Sequence, residues 1–245
     1  QLVYTETAGT WHPLYNQTLF NPYTTVSELV VDELKRLSDR RLFYFAEPAA
    51  ARLADGAAEN EFDAYVGTNT AADFTVSAAE FQNGMFSPIN ERYISEQAGD
   101  PYLHLSYAEQ CLIIAEAIEL GWTSGDAQTY YENGVKAALS LVASYDPDEK
   151  YNHGMSIDDA YIASYFNGPA AYAATKEERL KQIWMQKYLL KFLQTGYDAY
   201  MEVRRTGYPV FERPEYESEH RQQGGLPDPL AISGGRDEDQ LRESR

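Results

Sequence analysis

The chain has 245 residues, of which 44% are hydrophobic and 13% aromatic, enough for the core of one large domain. Its 38 acidic residues outnumber 20 basic ones and give a net charge of -18, which argues against nucleic acids and other polyanions as ligands, because such binding relies on lysine and arginine. No apolar run approaches the roughly 20 residues that span a bilayer, and a single cysteine excludes an internal disulfide bond.

One amphipathic helix is predicted in the N-terminal half of the chain. The sequence TVSE at residues 25–28 opens it, and four apolar residues then share one face: Val26, Val30, Leu34 and Leu37. Residues 1–24 and 44–101 contain glycine, proline, asparagine and threonine without sustained periodicity. These two segments are predicted to be long ordered loops, with short strands at most.

A helical hairpin is predicted in the middle of the chain. Its first helix runs from about residue 103 to residue 120, and Glu109 and Glu116 form a narrow polar stripe on an otherwise apolar surface. Gly121 suits a left-handed helix end, and a second helix begins near Asp126. The small and aromatic residues of this hairpin are similar to a tetratricopeptide repeat, but only one copy is found, so a solenoid made of this chain alone is not expected.

Two more helices are predicted near the C-terminal end. The sequence TKEE at residues 175–178 is a capping-box pattern, and apolar residues recur with helical spacing until Gly196. A short helix follows from about residue 197 to residue 205. Every strongly periodic segment therefore has the helical period, and the fold class is mostly α.

Common catalytic motifs are absent from the sequence. It lacks H-E-x-x-H, G-x-S-x-G, a phosphate-binding loop, G-x-G-x-x-G after a strand, and zinc-spaced cysteine and histidine. The four histidines are scattered: His12, His104, His153 and His220. A glycoside hydrolase needs only two carboxylates about 5–10 Å apart, so 38 acidic residues leave that alternative open.

Two further features have structural explanations. Cys111 lies within an apolar helix pattern and is predicted to be a small buried hydrophobic residue. Residues 146–152 (DPDEKYN) place oxygen atoms as a calcium loop would, but they lack its central glycine and distal glutamate and include Lys150. A solvated turn between helices is favoured. We predict no catalytic residue, no cofactor and no metal site.

Four segments carry a resemblance to a known family. The closest motifs are IWMQKY at residues 183–188 and EVRRTGYP at residues 202–209, preceded by SYAEQCLIIAEA at 106–117 and YYENGVKAA at 130–138. In order and spacing they resemble the signature of the SusD/RagB-like nutrient-binding lipoproteins. Residues 28–48 fit the family more loosely, with Arg40 where proline is usual.

The resemblance implies a domain organisation. Family members are longer and begin with a lipoprotein signal and a helical half, so residues 1–211 are expected to be the C-terminal portion of a single SusD-like domain. The family's usual segment after Pro209 is not found in this sequence. Residues 212–245 are therefore expected to be an atypical, loosely ordered tail.

The resemblance also implies a function. Such a protein binds an oligosaccharide, or less often a peptide, on the outer surface of the outer membrane without catalysis. It delivers this ligand to a TonB-dependent, SusC-like transporter, its partner. The membrane would be reached only through a lipid anchor that this sequence does not contain.

The family-specific pair Arg204 and Arg205 has two interpretations. The guanidinium groups could hold a ligand, or they could pair with the carboxylates of Glu109 and Glu116. We favour the structural interpretation, because a polar stripe on a buried helix needs partners.

Aromatic residues in the aperiodic segments are the candidates for ligand contact. A sugar presents apolar C–H faces and a rim of hydroxyl groups, so its site needs flat aromatic rings beside amide or charged groups. One such group lies near the N-terminus and a weaker one near residue 90. The candidate ligand-binding residues are Trp11, Tyr15, Asn16, Tyr23, Phe86, Arg92 and Tyr93. By contrast, Trp122, Trp184 and Tyr131 are assigned to packing.

Two functions from other classes are kept as alternatives. A helical-repeat scaffold would bind protein partners through an extended apolar groove. A glycan hydrolase would show two facing carboxylates in a cleft.

Overall fold

Helices form all the regular secondary structure among the described residues, which confirms the predicted fold class. The computed structural model describes residues 2–17, 24–194 and 196–211, so the expected tail at 212–245 lies outside them. Within these ranges there are isolated bridges but no strands, and no helix is long and apolar enough to cross a membrane. The α-helices are α1 (Glu28–Leu37), α2 (Arg41–Phe45), α3 (Ala50–Ala54), α4 (Phe74–Gln82), α5 (Arg92–Ser95), α6 (Tyr107–Glu119), α7 (Ala127–Ser144), α8 (Asp159–Ser164), α9 (Lys176–Leu190) and α10 (Gly196–Thr206).

The predicted hairpin consists of α6 and α7, and side-chain caps set where each begins. The hydroxyl of Ser106 accepts a hydrogen bond of 3.0 Å from the backbone nitrogen of Glu109, so α6 starts a few residues later than predicted. The carboxylate of Asp126 accepts one of 3.1 Å from the backbone nitrogen of Gln128 and caps α7. Gly121 has a φ of 80°, the left-handed conformation expected there.

A close approach between α6 and α7 requires a glycine. A Cβ atom at Gly134 would lie 2.9 Å from Cγ of Leu112 and 3.0 Å from the carbonyl oxygen of Ala108. No larger residue fits without moving the two helices apart. Cys111 of α6 is buried, as predicted.

The helix α9 packs against α6, and α10 packs against α9. The capping pattern is confirmed, since the Thr175 hydroxyl accepts a hydrogen bond of 3.3 Å from the backbone nitrogen of Glu178. The buried residues of α9 include two polar ones, Gln186 and Lys187. Each needs a partner inside the protein, because an unpaired buried polar group is costly.

A buried cluster between α1 and α2 supplies the partner for Gln186. The chain turns sharply after α1 at Ser38, whose φ is 53°. In α2 the Arg41 guanidinium donates to Asp39 at 2.6 Å and to the Gln186 side-chain oxygen at 2.8 Å. The hydroxyl of Tyr165 donates to the same Asp39 carboxylate at 2.5 Å. The cluster therefore links the turn between α1 and α2 to α9.

Residues 44–101 contain short helices where loops with short strands were expected. The helices α3, α4 and α5 have five, nine and four residues, too few for a recognisable period. Side-chain hydrogen bonds fix this segment instead. The Asn90 amide donates to the carbonyl oxygens of Phe43 at 3.1 Å and Tyr151 at 2.9 Å.

His153 joins the loop after α7 to this segment. Its Nε2 atom lies 3.3 Å from the Glu47 carboxylate, and its Nδ1 atom lies 3.5 Å from that of Glu59. The Tyr65 ring is centred 6.2 Å away. Burial alone would lower the pKa of His153, but hydrogen bonds and charge attraction from the two glutamates outweigh it and raise that pKa.

We predict that the His153 pairing stabilises the fold most at low pH. Because its pKa is raised on folding, its contribution is complete below the unfolded value of about 6.5 and is lost as pH rises through the folded value. Urea denaturation should therefore show that His153→Gln lowers the free energy of unfolding more at about pH 5.5 than at about pH 9.

The matched control is His104→Gln, since His104 is exposed and its ring contacts that of Tyr102. This control should have a similar, small effect at both pH values. A cost of His153→Gln that grows with increasing pH would contradict the prediction.

Candidate functional site

Three of the four signature segments meet at one buried carboxylate, that of Glu116 on α6. It accepts hydrogen bonds from the Trp184 indole at 2.8 Å, the Lys187 ammonium at 3.1 Å and the Arg205 guanidinium at 2.6 Å. Burial alone would raise the pKa of Glu116, but these three donors outweigh it and lower that pKa. A charged carboxylate with three donors is stable where it lies.

Further ion pairs surround this carboxylate. The Glu202 carboxylate lies 2.9 Å from Lys187 and 2.7 Å from Arg205, and Lys191 lies 2.6 Å from Glu109. The expected pairing is thus confirmed for Arg205 with Glu116, while Glu109 pairs with a lysine. These contacts fit the structural interpretation, because the charged groups neutralise each other between helices.

The neighbouring Arg204 faces a different environment. Its guanidinium lies 5.9 Å from the centre of the Tyr200 ring. On the same helix Tyr197 is 78% exposed and Met201 is 55% exposed. The two arginines therefore differ in their contacts: Arg205, whose side chain is 42% exposed, reaches the buried Glu116 carboxylate, whereas the half-buried Arg204 lies near the Tyr200 ring.

The N-terminal candidates form an aromatic surface. Trp11 is 41% exposed, and its ring meets that of Tyr15 edge-on at 5.3 Å. The Trp11 indole donates to the Glu6 carbonyl at 3.1 Å, and the Tyr15 hydroxyl accepts from the Gln97 amide at 3.4 Å. Asn16 is exposed beside them. We call Trp11, Tyr15 and Asn16 the aromatic surface.

The second predicted group does not form a surface. Arg92 and Tyr93 are each only 2% exposed, which corrects their assignment to ligand contact. The Arg92 guanidinium forms a buried ion pair with Asp100 and donates to the Tyr93 hydroxyl at 2.7 Å. Phe86 is half-buried, and Tyr23 lies outside the described residues.

Trp122 is a surface residue that sequence reasoning assigned wrongly to packing. It is 73% exposed in the turn between α6 and α7, whereas Tyr131 is 1% exposed and lies in the core as predicted. Trp184 is half-buried against Glu116. Its position in the sequence could have indicated this exposure, because Trp122 follows the glycine that ends α6 and therefore falls outside the helical period.

A cavity of about 390 Å³ opens beside α1. We call it the α1 cavity. It is lined by three segments that are far apart in the sequence and by Met185 of α9; the segments are residues 28–36 of α1, residues 68–70 and residues 208–211. Because the lining comes from distant segments, no local sequence pattern predicts the cavity. Its polar groups include the Asp32 carboxylate, the Thr70 hydroxyl and the Tyr208 side chain, beside the Phe211 ring.

The turn at residues 146–152 is stabilised by hydrogen bonds between its own side chain and backbone. The Asp146 carboxylate accepts hydrogen bonds of 2.9 Å from the backbone nitrogens of both Lys150 and Tyr151. Within the described residues, no three histidine, cysteine, aspartate or glutamate side chains are grouped so that they could hold a metal ion. The carboxylate that suggested a calcium ligand is therefore a turn-stabilising group.

Comparison with protein families gives one match that covers most of the chain. A SusD-like family model, described as starch-binding and associating with the outer membrane, matches residues 1–227. No curated protein matches the chain. The match includes both the signature segments and the aromatic surface.

Solved structures give similar folds. A SusD homologue from Bacteroides fragilis is 39% identical, with a TM-score of 0.81 over 86% of this chain and 45% of its own. An outer membrane protein from Bacteroides vulgatus, described as involved in nutrient binding, is 31% identical, with a TM-score of 0.75 over 88% of this chain and 47% of its own. A chitin-binding protein is 28% identical, with a TM-score of 0.60 over 82% of this chain and 41% of its own. The chain spans less than half the length of each.

We predict that Glu116→Ala destabilises the fold strongly. It removes the acceptor shared by Trp184, Lys187 and Arg205, and breaking such a buried pair costs about 3–5 kcal/mol. Urea denaturation measures the loss in the free energy of unfolding. The control is Glu177→Ala, whose 2.6 Å pair with Lys181 is exposed and should contribute far less. Equally small losses for both variants would show that Glu116 does not organise the fold.

Proposed function

The chain belongs to the SusD-like family, and from this premise we propose that residues 1–211 form the C-terminal portion of a glycan-binding domain that captures nutrients without catalysis. The observation that carries the proposal is the family match over residues 1–227, whose description names starch binding and the outer membrane. The ligand class is supported by a chitin-binding relative and by a relative described as involved in nutrient binding.

The aromatic surface is proposed to contribute to glycan capture. Trp11 offers an exposed ring, Tyr15 supports it edge-on at 5.3 Å, and Asn16 adds an exposed amide. A sugar can stack its C–H face on such a ring while its hydroxyl groups meet the amide. A peptide is the less favoured ligand, because this surface adds no charged group to recognise one.

At the α1 cavity, the placement of carboxylates favours binding over hydrolysis. The α1 cavity contains three of them, but Glu28, Asp32 and Glu33 all belong to one helix. A glycoside hydrolase needs two carboxylates that flank the scissile bond from opposite sides. The arrangement at α1 therefore supports capture of a glycan and not its cleavage.

The captured glycan is proposed to pass to a TonB-dependent, SusC-like transporter at the outer surface of the outer membrane. The family description, which names association with that membrane, supports the location. Isolating the protein from its native outer membrane tests the partnership. We expect a TonB-dependent, SusC-like transporter to be isolated together with the protein. Isolation of the protein without any transporter would count against delivery of the glycan to such a partner.

We predict that Trp11→Ala weakens glycan binding by about tenfold, because an aromatic stacking contact contributes roughly 1–3 kcal/mol and each 1.4 kcal/mol is tenfold. The measurement is isothermal titration calorimetry with maltohexaose and chitohexaose. Tyr15→Ala should weaken binding less, since Tyr15 is half-buried and supports the exposed ring.

The matched control is Trp122→Ala, which removes an equally large exposed ring at the turn between α6 and α7. It should leave affinity unchanged. If Trp122→Ala weakened binding and Trp11→Ala did not, the aromatic surface would be the wrong site.

A further inference from the structure

We propose that the α1 cavity is a second carbohydrate subsite, which accepts neutral pyranose rings and rejects acidic sugars. The inference rests on the proposed function, because it names the substrate class. It concerns a different part of the chain from the aromatic surface, and it can fail while glycan capture stands.

The cavity has the size and the walls that a sugar ring needs. Its volume of about 390 Å³ lies in the range of about 300–1,000 Å³ that is usual for small-molecule sites. Leu29, Met185 and Phe211 supply apolar contact surface. The Phe211 ring also meets that of Tyr188 at 6.0 Å, which holds it at the edge of α9.

Polar groups at the cavity are free to bind hydroxyl groups. The carboxylate of Asp32 and the hydroxyls of Thr70 and Tyr208 line the cavity, and none of the three has a hydrogen-bond partner among the described residues. A carboxylate accepts from two sugar hydroxyls, and a hydroxyl group both donates and accepts. This mixture matches the rim of a neutral sugar.

The charges of the cavity disfavour an acidic ligand. Its single arginine, Arg36, is already held by Glu33 through two hydrogen bonds of 2.7 and 2.8 Å. The lining holds three carboxylates, Glu28, Asp32 and Glu33, and Arg36 is its single basic residue, so its net charge is negative. A uronic acid carboxylate would face this negative charge and would find the arginine fork occupied.

The test is calorimetry of the 245-residue protein carrying Trp11→Ala, so that the remaining affinity reports on the cavity. Maltohexaose is the neutral probe and hexagalacturonate the acidic one. In this background Tyr208→Phe, which keeps the ring, and Asp32→Asn should each weaken maltohexaose binding about three- to tenfold, the usual effect of one lost hydrogen bond. Asp32→Asn should also bring hexagalacturonate binding closer to that of maltohexaose.

The matched control is Asp55→Asn, an exposed aspartate at the end of α3, which should change neither affinity. Unchanged melting temperatures for all variants would show that the fold is intact. If maltohexaose bound equally well to all variants, the cavity subsite would be wrong and glycan capture would stand. If the protein without substitutions bound no neutral oligosaccharide, both the subsite and the proposed function would be wrong.

Discussion

The need to pair one buried carboxylate organises the helices of this protein. Glu116 lies inside the fold at 4% exposure, and an isolated charge there would cost several kcal/mol. Its three donors come from α9 and α10, so both helices must hold fixed positions relative to α6. The close approach at Gly134 then fixes α7 against the same helix. The signature residues Trp184, Lys187 and Arg205 are therefore explained by architecture, without any ligand contact.

Surfaces outside these buried contacts are available for ligand binding. On α1, Val30 and Leu34 pack into the core while Asp32 lies on the side of the α1 cavity. At the N-terminal loop, backbone hydrogen bonds hold a segment whose Trp11 ring stays exposed. A rigid support matters because stacking and hydrogen bonds to a sugar are individually weak, so the groups that make them must be held in place before the ligand arrives.

The sequence predicts the long helices and one key ion pair, and it fails where contacts are not local. The periods of α6, α7 and α9 extend over enough residues to be read, and the polar stripe with Glu116 predicts its pairing with Arg205. The helices within residues 46–101 are too short to show a recognisable period. Arg92 and Tyr93 lie in an aperiodic segment, but the ion pair with Asp100 allows their burial. The α1 cavity joins three distant segments, a proximity that only the folded structure reveals.

The most direct test of this separation between architecture and binding is backbone hydrogen exchange, followed by mass spectrometry with and without saturating maltohexaose or chitohexaose. Ligand should slow exchange in residues 2–17 and in the segments 68–70 and 208–211, which carry the two proposed binding surfaces. Exchange in α9 should stay unchanged, because its charged groups are already paired inside the protein. Ligand protection confined to α9 and α10 would place the sugar on the ion-paired signature residues of these two helices and contradict the account.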